Sequence, residues 1–153
     1  MEPPEDGVDA AGARFHLRGM KGHARNLMTD HVQSVGPDLP LADVARVLVA
    51  ARHGGAPVVD EEQRVVGFLS ELDVLDALLR GDAEGKTAAD LMSHPAIVAD
   101  EFMSTDEVMS LFRDGGIHHL PVVRGTKLVG IITPHDVLEH FVEHVLPVPP
   151  KNA

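Results

Sequence analysis

The chain has 153 residues, enough for one compact domain or for two small halves that share a core. Its formal net charge is −11 at pH 7, from 13 basic and 24 acidic residues, which opposes binding to nucleic acids and to anionic membranes. Aromatic residues make up only 3% of the chain, with no Trp or Tyr, so a platform for stacking nucleic-acid bases is not available outside five Phe residues. The absence of cysteine excludes disulfides, thiol nucleophiles and cysteine-based zinc sites.

The two ends of the chain are interpreted as tails. Residues 1–24 are acidic and rich in proline, unlike the basic start of a signal peptide, and we expect little intrinsic structure there. Residues 146–153 hold three prolines, which stop any preceding helix. No apolar run approaches the roughly 20 residues of a membrane span. We therefore expect a cytoplasmic protein.

In chain order, the first half predicts a strand, a helix, two strands and a helix. A brief strand at 32–35 precedes an amphipathic helix at 41–52, whose apolar residues recur on one helical face. Strands follow at 56–59 and 65–69, joined by a hairpin turn at 60–63. Ser70 is then a natural N-cap for the next helix.

The second half repeats this order. LMT at 27–29 recurs as LMS at 91–93, and APVV at 56–59 recurs as LPVV at 120–123, both 64 residues later. GFLSELD at 67–73 recurs as GIITPHD at 130–136. We assign the halves to residues 25–80 and 89–145, joined by a polar linker at 81–88. Because a half of about 60 residues is marginal on its own, the halves are expected to pack on each other.

The last repeated segment places a hydroxyl residue and an aspartate three residues apart, at a predicted strand-to-helix turn. These pairs are Ser70 with Asp73 and Thr133 with Asp136. A small hydroxyl and a carboxylate at such a turn suit a ligand that carries both phosphate and ribose. The alternative is that each pair only caps its helix, with the aspartate as the third-residue capping carboxylate.

Together, the repeated LM[TS], PVV and G-x-x-[ST]-x-x-D segments resemble a tandem pair of CBS (cystathionine-β-synthase) domains, also called a Bateman module. The resemblance covers about residues 25 to 142. It implies an α/β fold of two tandem β-α-β-β-α repeats packed with pseudo-two-fold symmetry. It also implies clefts that bind an adenine nucleotide or adenosyl ligand, such as AMP, ADP, ATP or S-adenosylmethionine, and a homodimer shaped as a flat disk.

The resemblance also implies roles for individual residues. Asp73 and Asp136 would each accept hydrogen bonds from the two ribose hydroxyls, for which a carboxylate offers two acceptor oxygens. Ser70 and Thr133, with the amides that begin each helix, would meet phosphate. The adenine would lie against residues of the opening strands, for which the candidates are Ser34, Val35, Val98 and Ala99.

The halves differ just before their PVV strands. His118 and His119 precede the second strand, whereas Gly54 and Gly55 precede the first. In nucleotide-binding members of the family, basic residues here reach across to the neighbouring site, which implies that the two histidines serve the site of Asp73. That site would then prefer a phosphorylated ligand such as AMP, more strongly as the pH falls toward about 6, while the other stays emptier or takes a less charged ligand. The alternative for the histidines is packing and backbone hydrogen bonding.

Other chemistry finds little support in the sequence. His140 and His144 lie four residues apart beside two glutamates, but no third ligand accompanies them, so we expect a solvated helix end and no metal site. There is no G-x-S-x-G segment and no phosphate-binding loop with lysine, so we expect no enzyme activity, catalytic residue or cofactor. The leading hypothesis is a regulatory module that signals to a separate effector protein. The alternatives are a structural dimerisation module with empty clefts and, more weakly, a metal-dependent enzyme.

Overall fold

The structure, a computed structural model, describes residues 6–8, 14–16, 21–51 and 54–151. The helices in these ranges are α1 (Ala24–Leu27), α2 (Leu41–Ala51), α3 (Glu71–Leu79), α4 (Ala88–Leu91), α5 (Thr105–Gly115) and α6 (Pro134–His144). The strands are β1 (Asp6–Val8), β2 (Arg14–His16), β3 (Gly55–Val59), β4 (Val65–Ser70), β5 (Ala99–Asp100), β6 (Leu120–Arg124) and β7 (Lys127–Ile132). The α/β class and the two repeats predicted from the sequence are confirmed.

The first half is built on an antiparallel hairpin of β3 and β4, covered by α2 and α3. The apolar face predicted for α2 is confirmed at Leu41, Val44 and Leu48, which are buried in the core of this half, whereas Val49 of the same run is 80% exposed. The hairpin carries a bulge between Val58 and Val59, after which the chain turns through a residue with positive φ, Gln63.

The second half repeats this arrangement with a three-stranded sheet in the order β5-β6-β7. The strands β5 and β6 are parallel, and β6 and β7 are antiparallel with a bulge at the matching place. At the edge of this half, Arg124 donates two hydrogen bonds, of 2.9 and 3.1 Å, to the carboxylate of Glu101, which is only 4% exposed. These bonds hold the pKa of Glu101 below its ordinary value.

The halves exchange their lead-in segments, defined here as residues 24–29 and 88–93. Helix α1 contributes Ala24 and Leu27 to the core of the second half, whereas α4 contributes Ala88 to the core of the first. The backbone of Thr29 pairs with β7, and that of Ser93 pairs with β4. Each half therefore lacks part of its core without the other, which agrees with the expectation that the halves pack together.

Close approach in this exchange explains the glycines of the repeated closing segments. A Cβ on Gly130 would overlap the sulfur of Met28 and lie 3.0 Å from the carbonyl oxygen of Thr29. A Cβ on Gly67 would meet Met92 in the same way, with the carbonyl oxygen of the next residue at 2.9 Å. The glycine of one repeat and the methionine of the other thus form a single packing unit, present twice.

Two sequence predictions differ from the structure. The strand predicted at 32–35 is reduced to one parallel bridge between Val35 and Val58, because only the last residue of that run lies against β3. Within the tail predicted to have little structure, β1 and β2 pair as an antiparallel ribbon, in which Gly7 faces Phe15. Valine and phenylalanine in these short runs favour strands. The remaining tail residues up to 20 lie outside the described ranges.

Within the described part of the chain, no helix has the length and the apolar composition needed to cross a membrane.

Candidate functional site

Both predicted ligand positions lie at strand-to-helix turns, where β4 passes into α3 and β7 passes into α6. The backbone N–H of Ser70 donates to Asp73 Oδ2 at 3.2 Å, and the backbone N–H of Thr133 donates to Asp136 Oδ2 at 2.8 Å. These are the bonds of a capping box, so both pairs do cap their helices. What each turn can still bind depends on the groups that capping leaves unused.

The turn at Asp73 leaves most of its polar groups available. Asp73 is exposed, and within the described residues its Oδ1 accepts no hydrogen bond. Ser70 Oγ accepts from the backbone N–H of Asp73 at 3.2 Å, which leaves the hydroxyl proton free to donate. This turn, together with the side chains around it, is called the Asp73 site.

The turn at Asp136 uses its groups internally. Asp136 is half-buried, and its Oδ2 accepts from the Thr133 hydroxyl at 3.0 Å as well as from the capping N–H. Its Oδ1 accepts a bond of 2.6 Å from the hydroxyl of Thr29, which belongs to the lead-in segment of the other repeat. Thr29 is not among the site residues predicted from the sequence. This second turn is called the Asp136 site.

His119 reaches from the second half to the first, the direction that the family resemblance implies. Its ring stacks on Phe68 of β4, with the ring centroids 5.0 Å apart and the planes inclined by 30°. The ring nitrogen Nε2 lies 3.2 Å from the position that a Cβ on Gly54 would occupy, and a carboxylate oxygen of Glu71 lies 3.6 Å from the same point. His119 is thus placed beside the start of α3, while its neighbour His118 is exposed.

The corresponding place in the first half cannot carry a side chain. Gly55 is the counterpart of His119, and a Cβ there would lie 2.6 Å from the ring of Phe68 and 2.9 Å from the carbonyl oxygen of Leu69. Real Cβ atoms do not approach other atoms so closely, so glycine is required while Phe68 keeps this position. The Asp136 site therefore receives no cation from this position, and Arg52 and His53 lie outside the described residues.

The four residues proposed to contact adenine divide into two pairs. Val35 and Ala99 are 3% and 0% exposed and belong to the two cores, so their side chains have no surface to offer a ligand. Ser34 and Val98 immediately precede them and are half-buried. Because side chains alternate along an extended chain, the cleft-facing candidates are Ser34 and Val98.

The histidines of α6 form a local pair. The rings of His140 and His144 lie with their centroids 4.8 Å apart, as expected for positions i and i+4 on one helical face. Burial lowers the pKa of His140, and the neighbouring His144 lowers it further. In the ranges that the structure describes, no group of three or more His, Cys, Asp or Glu residues could hold a metal ion.

The family model for the CBS domain matches residues 24–80 and again residues 88–143. The chain therefore belongs to the CBS-domain family and carries two CBS domains in tandem. These ranges cover the two turns, His119 and both lead-in segments. The two-repeat fold described above is the fold of CBS-pair proteins.

Known relatives and solved structures agree with this assignment. Hypoxic response protein 1 of Mycobacterium tuberculosis is 28% identical over 125 residues, which are 80% of this chain and 87% of that protein. An uncharacterised protein of Methanocaldococcus jannaschii is 28% identical over 126 residues, but the chain spans only 45% of its length. The crystal structure of CBSX2 in complex with AMP superposes with a TM-score of 0.72 and 26% identity, covering 80% of this chain and 98% of that one.

Proposed function

We propose that the protein is a regulatory module that binds an adenine nucleotide, with AMP as the preferred class, in the Asp73 site. The observation that carries the proposal is a set of three groups from both halves that lie at or beside the turn from β4 to α3. These are the unused carboxylate oxygen of Asp73, the free hydroxyl proton of Ser70 and the ring of His119. Membership of the CBS family and the AMP complex of CBSX2 support the ligand class.

Each group suits one part of the nucleotide. The carboxylate of Asp73 accepts hydrogen bonds from the vicinal hydroxyls of the ribose, for which it has several acceptor positions left. The Ser70 hydroxyl and the backbone N–H of Leu72 donate to phosphate, which the positive end of the helix dipole also favours. The N–H groups of Glu71 and Asp73 already bond to Gly54 and Ser70. His119 adds a donor from the second half, and Ser34 offers a polar contact to the base.

Regulation in this proposal follows from the origin of the contacts. A nucleotide at the Asp73 site touches α3 of the first half and His119 of the second, so binding favours the arrangement of the halves in which both contacts are made. The change in arrangement is passed to a separate effector protein. No chemical step is assigned to the site, because binding of the nucleotide is sufficient for this role.

A homodimer is part of the proposal. Helices α3 and α6 occupy corresponding places in the two repeats, and each exposes leucine or valine side chains to solvent. The clearest examples, between 63% and 78% exposed, are Leu72, Leu79, Leu138 and Val142. A second copy of the chain that buries these side chains would remove apolar surface from water.

A thermal-shift panel tests the proposal against its rivals. AMP, ADP, ATP, NAD, S-adenosylmethionine and divalent metal ions are each added to the wild type and to Asp73→Ala. A nucleotide at 100 times its Kd adds about 2.7 kcal/mol to the free energy of unfolding, and we expect this gain to vanish in Asp73→Ala. A melting temperature that no compound changes would support a structural dimerisation module. A response to metals alone would support a metal-dependent enzyme.

A further inference from the structure

We propose that Thr29 closes the Asp136 site to ribose, so that the wild-type chain binds one nucleotide although it carries two copies of the binding segment. The inference rests on the proposed function of the Asp73 site and adds the residue that makes the two sites unequal. Thr29 lies in the first lead-in segment, 107 positions before Asp136 in the sequence. Its hydroxyl occupies the carboxylate oxygen that the ribose needs.

The carboxylates of Asp136 and Asp73 differ in the number of acceptor positions that they have left. An ionised carboxylate offers about four lone-pair positions, two on each oxygen. At Asp136, the backbone N–H and hydroxyl of Thr133 take both positions on Oδ2, and the Thr29 hydroxyl takes one on Oδ1. A single position remains, whereas a vicinal diol donates two hydrogen bonds. At Asp73 only one position is taken, by the backbone N–H of Ser70.

The counterpart of Thr29 in the other repeat behaves differently. Ser93 holds the same place in the second lead-in segment, and its backbone pairs with Phe68 as that of Thr29 pairs with Ile131. The Ser93 hydroxyl, however, donates to the carbonyl oxygen of Phe68 at 3.2 Å instead of reaching Asp73. One small difference in a repeated segment, threonine for serine, thus accompanies opposite states of the two carboxylates.

Backbone bonds hold the segment that carries the Thr29 hydroxyl against β7. The N–H of Thr29 donates to the carbonyl oxygen of Ile131 at 2.8 Å, and the N–H of Ile131 donates back at 3.0 Å. The preceding residue, Met28, lies over Gly130 without space for a side chain there. A ligand at Asp136 must therefore displace a hydroxyl from a segment that packing and two backbone hydrogen bonds already hold.

Rotation of the Thr133 hydroxyl is the other way to free a position at Asp136. That hydroxyl would then need a new acceptor, for which the charged phosphate of AMP is stronger than the neutral oxygens of adenosine. The Asp136 site also has Gly55 where the Asp73 site has His119, so a phosphate is poorly held there. Adenosine is therefore the probe that isolates the effect of Thr29.

The experiment is calorimetric titration of the wild type, Thr29→Val and the double variant Thr29→Val/Asp73→Asn with AMP and with adenosine. We expect about one ligand per chain for the wild type and about two adenosine molecules per chain for Thr29→Val, whose side chain keeps the shape and loses the hydroxyl. The double variant should bind about one adenosine, at Asp136. Ser93→Ala is the matched control that should behave as the wild type, and Thr29→Ala replaces Thr29→Val if the latter does not fold.

The outcomes separate this inference from the proposed function. One adenosine per chain in both the wild type and a folded Thr29→Val variant would overturn the inference and leave the proposed function standing. Two ligands per wild-type chain would also overturn the inference and leave the proposed function standing. Absence of binding in every variant, with melting temperatures that show folded protein, would overturn the proposed function itself.

Discussion

Asp73 and Asp136 hold the same place in the two repeats, yet their surroundings give them different chemistry. Both carboxylates cap a helix, and the capping bonds alone leave either one able to accept a ribose. The neighbours decide the difference, because Thr29 bonds to Asp136 while the Asp73 side has an unused oxygen and a nearby histidine ring. A repeated sequence segment therefore defines a possible site, and residues from the other repeat define its use.

His119 gives a direct prediction about phosphate. His119→Phe keeps an aromatic ring to stack on Phe68 and removes both ring nitrogens. Since a hydrogen bond to a charged group contributes about 1.5 kcal/mol or more, we expect the affinity for AMP to fall by about tenfold. The affinity for adenosine, which has no phosphate, should stay the same. Equal losses for both ligands in titration calorimetry would mean that His119 acts on the shape of the cleft and not on the phosphate.

The buried carboxylate of Glu101 predicts a dependence of stability on pH. Arg124 lowers the pKa of Glu101 below its ordinary value of 4.5 in the folded state. The pair therefore stabilises the fold above pH 4.5, and this contribution is lost as the pH falls through the lowered value. Arg124→Gln should reduce the free energy of unfolding at about pH 7, and the difference from wild type should shrink toward about pH 4.

Urea denaturation at several pH values measures this effect. Arg46→Gln is the control, because Arg46 and Asp43 form a pair that is open to solvent on both sides and such pairs contribute little. A difference between Arg124→Gln and wild type that stays constant from about pH 7 to about pH 4 would contradict the assignment of the effect to Glu101.

For individual residues, local sequence spacing predicted part of the candidate site. A hydroxyl residue three positions before an aspartate is a capping pattern, and both pairs form the expected bonds. The bond between Thr29 and Asp136 has no local signal, since it spans 107 positions. It depends on how one repeat lies across the other, which a sequence pattern does not specify.

Where a lead-in segment packs on a strand of the other repeat, the contact leaves no space for an added side-chain atom. Gly130→Ala would press a Cβ against the Met28 sulfur and the Thr29 carbonyl oxygen, of which the second is backbone and cannot move aside. We expect a loss of about 1–3 kcal/mol or more in the free energy of unfolding. Gly36→Ala is the matched control, with no atom within 4 Å of the added Cβ, and should change stability by less than about 0.5 kcal/mol.

Chemical denaturation of the two glycine variants decides the point. Equal stability of Gly130→Ala and Gly36→Ala would contradict the packing of Met28 on β7. A fall for Gly130→Ala that Met28→Ala partly restores would identify the methionine side chain as the obstacle, because the double change removes the overlap with sulfur.

Helix periodicity and hairpin signals were sufficient to predict the longer helices and strands. The apolar spacing of α2 leads to the observed helix because one of its faces is buried, and the PVV runs lead to strands that are buried on both faces. The strand predicted at 32–35 failed as an extended element, since only Val35 finds a partner. The exchange of lead-in segments is equally invisible to periodicity, because a helix of four residues has an apolar face but no indication of which core it enters.

For the molecule as a whole, the exposed apolar side chains of α3 and α6 predict self-association. Sedimentation velocity should show a dimer for the wild type, because both helices expose large apolar side chains and a stable interface buries about 1,000 Å² or more. Leu72→Glu should shift the equilibrium toward monomer, since it places a charge in the interface. Val148→Glu, at an even more exposed site beyond α6, should leave the dimer intact. A wild type that is monomeric at all concentrations would contradict the proposed homodimer.

The central claim is that this CBS pair binds an adenine nucleotide through Asp73, and calorimetric titration with AMP tests it most directly. Asp73→Asn keeps the side-chain shape and removes the charge, and Asp136→Asn is the matched change in the other repeat. The account predicts about one AMP per chain for the wild type and for Asp136→Asn, and at least about a tenfold loss of affinity for Asp73→Asn. Binding that survives in Asp73→Asn and is lost in folded Asp136→Asn would contradict it.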